Sequence, residues 1–300
     1  MKASIIINSY NYGKFIIECV DSALQQTYKN IEVVIVDDGS TDNSLELLNE
    51  NYSKNHLVNI VSKKNGGQLS AFNEALKYIS GDIVFFLDSD DMYKNNYIEK
   101  VLEVYKKNKD IDFVFCALEK IFSDGRKEIV RKYKGNTDIG FSMLSAIHSK
   151  EWIGSVTSTL SMRKDILNQI LPIPFEKDWI NRADDCLIWG SSVVGAKKYY
   201  YNDSLILYRV HGNNTFYGKE FSDIYLYKRE ISMNRLFSFF INKFGLDRKN
   251  INFISLEFKS RNPKDYKLLK RYMKIVIASK ESIISKMIKI IHLIKIYNSK

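Results

Sequence analysis

The sequence predicts an α/β fold, a largely parallel sheet covered by helices on both faces, with a helical extension at its C-terminal end. Three observations predict it. Apolar runs and amphipathic segments alternate from Ala3 to Leu87 with short links between them. Each run is predominantly apolar, the pattern of strands buried on both faces, rather than alternating as a half-solvated strand does. The charge is also divided. Residues 1–220 carry 27 Lys and Arg against 29 Asp and Glu, and residues 221–300 carry 18 against 6, so the formal +10 of the 300-residue chain belongs to its last part.

The first strand is expected at Ala3–Ile7, a β-branched run closed by polar Asn8-Ser9. Phe15, Ile16, Cys19, Val20, Ala23 and Leu24 then recur at helical spacing. Ile31–Val36 is the second strand, closed by Asp37-Asp38-Gly39, and Ser40-Thr41-Asp42 are helix-starting residues ahead of Leu45, Leu47 and Leu48. Leu57–Val61 reads as the third strand, and Leu69, Phe72, Leu76 and Ile79 as a helical stripe stopped by Gly81. Ile83–Leu87 is the fourth strand and runs into Asp88-Ser89-Asp90-Asp91. Further on, Ile111–Leu118 suits a strand, Asp124-Gly125 a turn and Glu128–Val130 a return strand. Pro172 and Pro174 interrupt the chain ahead of Arg182-Ala183-Asp184-Asp185. After His211 the composition shifts to long helical patterns rich in Lys, Phe and Ile, giving a catalytic-type domain at 1–217 and a basic helical extension at 218–300.

In open α/β sheets, ligands bind beyond the carboxyl ends of the strands. Polar loops beginning at Asn8, Asp37, Asn65 and Asp88 follow the four strands, so they converge on one rim. Asp88, Asp90 and Asp91 repel one another unless a cation lies among them, and oxygen ligands select Mg²⁺ or Mn²⁺ over zinc. The competing expectation is an acidic start to the helix anticipated over Asn95–Tyr105. Asp37 to Asp42 carries a similar ambiguity between turn-and-cap chemistry and hydrogen bonds to a nucleoside. Gly66-Gly67 offers backbone N–H groups for close approach to a ligand. Asp184-Asp185 supplies a candidate general base, against the alternative of an ion-paired surface turn. Arg209 and His211 alternate with apolar residues and suit a diphosphate.

Taken in order, Ser4 to Asn11, Val36 to Asp42, Asn65 to Asn73, Gly81 to Asp91, Ala183 to Asp185 and Tyr208 to His211 resemble the motif series of family 2 glycosyltransferases with the GT-A fold, a Rossmann-like mixed sheet flanked by helices. The resemblance covers roughly residues 3 to 215. It implies inverting transfer of a sugar from a nucleotide-diphosphate donor to an acceptor hydroxyl, in the synthesis of a cell-surface polysaccharide or glycolipid. By the same resemblance Asp38 meets a uracil ring with Asn8 and Tyr10 beside it, and Asn65, Gly67, Ser89 and Arg209 join the donor site. Asp88 lies toward ribose and metal, Asp90 coordinates Mn²⁺ or Mg²⁺ with His211 near it, and Asp185 is the base. The chain departs from the family at Asn8, where proline is usual, at Asp184, where glutamate is usual, and at Phe72, a position often basic, which removes a contact to the donor. The acceptor is expected at residues 119–180, with Trp152, Ser155, Thr157, Ser158 and Trp179 as candidates.

Two other functions compete. A nucleotidyltransferase would need a Gly- and Lys-rich nucleotide loop near the N-terminus, which the sequence lacks. A binding or scaffold protein that keeps the fold without turnover would not need Asp88, Asp90 and Asp185.

From Met273 to Tyr297 the residues Met273, Val276, Ile277, Ile284, Met287, Ile288, Ile291 and Ile294 follow helical spacing, with Lys274, Lys286, Lys289 and Lys295 mostly opposite and Lys280 interrupting. This suits either an interfacial helix on anionic lipid or a helix docked on the catalytic domain or a sister subunit. Lysines without a recognisable nucleic-acid module do not predict nucleic-acid binding. Cys19, Cys116 and Cys186 lack CxxC spacing and are expected to be small buried hydrophobes. Met1-Lys2-Ala3 runs directly into a short apolar stretch, and no run approaches eighteen apolar residues, so the expected location is the cytoplasm, soluble or peripheral at the inner face of the membrane.

Overall fold

The computed structural model describes residues 1–212, 214, 217–247 and 251–299. The chain begins β1 (Ala3–Ser9), α1 (Ile16–Leu24), β2 (Ile31–Asp37), α2 (Ser44–Tyr52), β3 (Val58–Ser62), α3 (Gln68–Ala75) and β4 (Ile83–Asp88). It continues with β5 (Met92–Tyr93), α4 (Tyr97–Lys107), β6 (Phe113–Phe122), β7 (Lys127–Val130), β8 (Thr137–Gly140), α5 (Met143–Ser149), β9 (Leu160–Arg163) and α6 (Lys164–Ile170). The last part holds α7 (Asp184–Val193), β10 (Lys198–Val210), α8 (Asp223–Lys243), α9 (Ile254–Ser260), α10 (Tyr266–Ala278) and α11 (Ile283–Asn298).

The ten strands form one mixed sheet in the order β3-β2-β1-β4-β9-β6-β10-β5, with β7 beside β6 and β8 beside β10. The first four strands are parallel, as expected, and Ile5 lies opposite Val33 on one side and Phe85 on the other. That register brings Ser9 level with Asp37 and Asn8 level with Asp88, so three polar loops leave the sheet side by side. β9 enters antiparallel between β4 and β6 and was not foreseen. Its four residues are too short to show periodicity, and Leu160, Ser161 and Met162 are buried by their neighbours rather than by their own pattern.

Alternation along β1 divides the core. Ala3, Ile5 and Ile7 face the cluster under α1, α2 and α4, whereas Ile6 faces the cluster under α3, α6, α7 and α8. Phe72 belongs to the second cluster, fully buried and edge-on to Phe86 at 5.3 Å between ring centres. It therefore packs the core and does not stand at the rim, so its identity has no direct bearing on a donor contact.

Packing continues across residue 217. Met233, Leu236, Phe237, Phe240 and Ile241 of α8 lie in the same cluster as α7 and the sheet. A separate cluster unites Leu144 of α5 with α9, α10 and Leu293 of α11. Glu257 of α9 joins the two by accepting the Leu144 and Ser145 N–H groups at 2.8 and 3.1 Å, near the start of α5. The single helical pattern expected over Met273–Tyr297 is two helices, broken after Ala278, and the Ser282 hydroxyl caps the second by accepting the Ser285 N–H. Among the described residues no helix is long and apolar enough to cross a membrane.

Candidate active site

A cleft of about 580 Å³ opens where the loops after β1, β2 and β4 meet the start of α3. Asn8, Tyr10, Asp38, Asn65, Gly67, Asp88, Ser89 and Asp90 all line it. The loops hold one another in place. Ser89 Oγ donates to the Asn8 carbonyl, while Asn8 Oδ1 is buried without a hydrogen-bond partner.

Asp38 is buried, and its carboxylate accepts Gly67 N–H at 2.6 Å, Gly66 N–H at 3.0 Å and the Lys63 ammonium at 2.8 Å. It therefore fastens the Gly66-Gly67 turn to the end of β2. Gly67 has φ +90°, a left-handed conformation, and a Cβ there would fall 2.4 Å from Ile180 Cα. The neighbouring acids do the local work that capping chemistry predicts: Asp37 accepts Ser40 N–H at 3.1 Å, and Asp42 accepts Ser44 N–H at 2.9 Å at the start of α2.

Asp88 to Asp91 do not begin a helix, because β5 intervenes before α4. Their side chains divide. Asp91 is buried and structural, taking the Ser158 hydroxyl at 2.5 Å and Arg209 N–H at 3.0 Å. Asp88 takes the Gln68 amide at 3.0 Å, and burial followed by the charge of Asp90 pushes its carboxyl up to about 7. Asp90 takes His211 Nε2 at 3.0 Å. Among the described residues no three His, Cys, Asp or Glu side chains converge to hold an ion unaided. Asp88 and Asp90 could supply two oxygen ligands to Mg²⁺ or Mn²⁺, whose shell phosphate oxygens would complete.

Two expected donor contacts are set back from the cleft. Arg209 Nε donates to the Asp90 carbonyl at 3.0 Å, its terminal nitrogen meets Glu18 at 2.6 Å, and its guanidinium lies over the Phe15 ring. It buttresses the acidic loop instead of facing a diphosphate. His211 likewise acts through Asp90.

The Asp184-Asp185 pair is not a surface turn. Asp185, expected to meet the acceptor, has no exposed surface: its carboxylate takes the Trp152 indole N–H at 2.8 Å, Arg182 Nε at 3.1 Å and the Arg229 guanidinium. Asp184 is the member on the cleft wall. Burial, then the charge of Asp185, pushes its carboxyl up to about 8. Two guanidiniums pair with Asp185, and neither forms an ion pair with Asp184 among the described residues.

Three further residues complete the site. Gln68 spans it, its amide N–H meeting Asp88 at 3.0 Å and its carbonyl accepting Ala183 N–H at 2.8 Å, and its place directly after Gly66-Gly67 was a readable signal. Trp152 was foreseen only as an acceptor contact. Arg229 comes from α8, beyond the expected domain boundary, where no local pattern distinguishes it from other surface cations.

The glycosyl transferase family 2 profile matches residues 4–171. An uncharacterised glycosyltransferase of Nostoc is 33% identical over 217 residues, covering 71% of this chain and 66% of that protein. One of Haemophilus influenzae is 30% identical over 270 residues, covering 84% of this chain and 78% of that protein. The hyaluronan synthase of Pasteurella multocida is 43% identical over 122 residues, 41% of this chain but only 13% of the synthase. Among solved structures, Staphylococcus aureus TarS 1–349 with UDP-GlcNAc aligns over 100% of this chain and 91% of its own, with TM-score 0.62 and 18% identity. A Pyrobaculum calidifontis mannosyltransferase with GDP-Man and Mn²⁺ aligns over 99% and 82%, with TM-score 0.54 and 16% identity. The chain belongs to glycosyl transferase family 2 and has the GT-A fold.

Proposed function

We propose that this glycosyltransferase is a metal-dependent, inverting enzyme that moves a sugar from a nucleoside diphosphate donor, a UDP-sugar, to an acceptor hydroxyl in cell-surface polysaccharide or glycolipid synthesis. The observation that carries it is the meeting of the Asp38 loop, Asp88, Asp90 and the Asp184-Asp185 pair around one cleft. Asn8, Tyr10 and the Asp38-anchored turn bind the nucleoside, and Gln68 ties the Asp88 loop to the base loop at Ala183. Asp88 and Asp90 would hold Mn²⁺ or Mg²⁺, which supplies Lewis-acid stabilisation of the departing diphosphate.

Asp185 is the proposed base. It is the ion-paired member of its pair, whereas Asp184, raised toward neutrality, retains a proton near pH 7 and is a donor rather than a base. Asp185 is covered by Arg182, Arg229 and Trp152, so an acceptor reaches it only when that cover shifts. Catalytic contacts of this kind commonly tighten or rearrange on substrate binding. A single displacement needs one base, and inversion follows from it.

A screen of nucleotide sugars, reading nucleoside diphosphate release with Mn²⁺ and with chelator, tests this function. Release from a UDP-sugar that stops with chelator is expected; no release from any donor in Mn²⁺ or Mg²⁺ would remove the reading.

A further inference from the structure

A second groove, of about 390 Å³, lies between residues 177–182 and helix α8 and touches the donor cleft, sharing Ile180, Asn181 and Arg182 with it. Its charge is one-sided. Lys177, Arg182, Lys228, Arg229 and Arg235 line it, with Asp178 as the one acidic lining residue. Arg235 pairs with Asp178, while Arg182 and Arg229 both pair with buried Asp185 behind the wall. Lys177 and Lys228 are exposed and form no ion pair among the described residues. Five cations against two carboxylates leave an excess of three positive charges, held in a concave surface that strengthens their field. The walls also carry apolar surface, with Ile180 53% and Ile231 43% exposed and Tyr225 beside them. Cations beside apolar and aromatic faces suit a chain of sugar rings bearing negative groups, and a small neutral metabolite would leave those charges unused.

Resting on the glycosyl-transfer reading above, we propose that this groove is the acceptor site and that the acceptor is an anionic saccharide chain carrying carboxylate or phosphate groups. The two guanidiniums that cover Asp185 also face the groove. An anionic group entering there competes for Arg182 and Arg229, so acceptor binding and exposure of Asp185 are the same event. Of the acceptor candidates read from sequence, Trp179 lines this groove, whereas its α8 wall was not legible because β10 intervenes between the two segments.

The test uses the full chain and three tetrasaccharide probes: a hyaluronan tetrasaccharide bearing carboxylates, a maltotetraose phosphorylated at its 6-hydroxyls, and neutral maltotetraose. Calorimetric titration is expected to show at least one charged probe binding about tenfold or more tightly than maltotetraose, with the advantage shrinking as ionic strength rises. The probe that wins identifies the anionic group. The exposed double variant Lys177→Ala/Lys228→Ala is expected to lose most of that advantage, and Lys177→Arg/Lys228→Arg to keep it. The proposal is overturned if all three probes bind alike, or if the alanine variant, folded by circular dichroism, binds the charged probe as the parent does. Nucleotide-sugar binding to the same parent sample is read separately. Its absence counts against the glycosyl-transfer reading, whereas a missing preference for charge counts against this groove alone.

Discussion

Asp184 and Asp185 are adjacent in sequence and opposite in setting. Asp185 has two arginines and an indole N–H on its carboxylate, and Asp184 has burial and a charged neighbour. Asp185→Asn is therefore expected to lower kcat by about a hundredfold or more with nucleotide affinity retained, and Asp184→Asn to keep most of the transfer activity. The reverse ranking in steady-state kinetics would move the base to Asp184. A stability effect follows from the same pair. A carboxyl raised in the folded chain ionises first in the unfolded one, so stability is highest below the unfolded value near 4 and declines as pH climbs toward about 8. Thermal melts should show Asp184→Asn gaining melting temperature over the parent at pH 8 and little at pH 5, by roughly 2–4 °C per kcal/mol relieved. A difference that does not grow with pH would contradict the shift.

Among the elements, the turn into α3 does most to shape the cleft. Gly67 combines a φ of +90° with a backbone contact to Ile180, whose carbonyl also accepts Gln68 N–H at 2.8 Å. Gly67→Ala should cost roughly 1–3 kcal/mol of stability and weaken nucleotide binding with it; unchanged melting and affinity would show that the turn yields freely. Helix α11 has two unlike faces. Leu293 is buried against α9 and α10, while Ile284 and Ile288 stand 72% and 62% exposed on the other side. The exposed stripe, with Lys295 on the same side, is proposed to rest on anionic lipid. Ile284→Glu/Ile288→Glu should leave folding intact and reduce sedimentation with phosphatidylserine vesicles about tenfold. Equal sedimentation of variant and parent would leave the stripe to a sister subunit.

Across the whole molecule, what could be read from sequence follows what is local. Predominantly apolar strands identified β1 to β4, and the motifs in the polar loops after them named eight of the residues lining the cleft, because strand and loop are contiguous there. β9 escaped notice because its burial is imposed by β4 and β6. Arg229 escaped because its partner is 44 residues away, and the boundary near 217 divided a core that α8 completes. The charge division of the chain also acquires a finer meaning, since part of the C-terminal basic excess, Arg229, lies against Asp185 in the catalytic-type domain. Nucleotide binding in the acidic cleft is proposed to depend on a metal held by Asp88 and Asp90. That dependence is tested most directly by calorimetric titration of UDP into the parent chain and into Asp90→Ala, each with Mn²⁺ and with chelator. Binding is predicted for the parent in Mn²⁺ and to fall at least about tenfold with chelator or in the variant; UDP affinity that is the same in all four titrations would contradict the account.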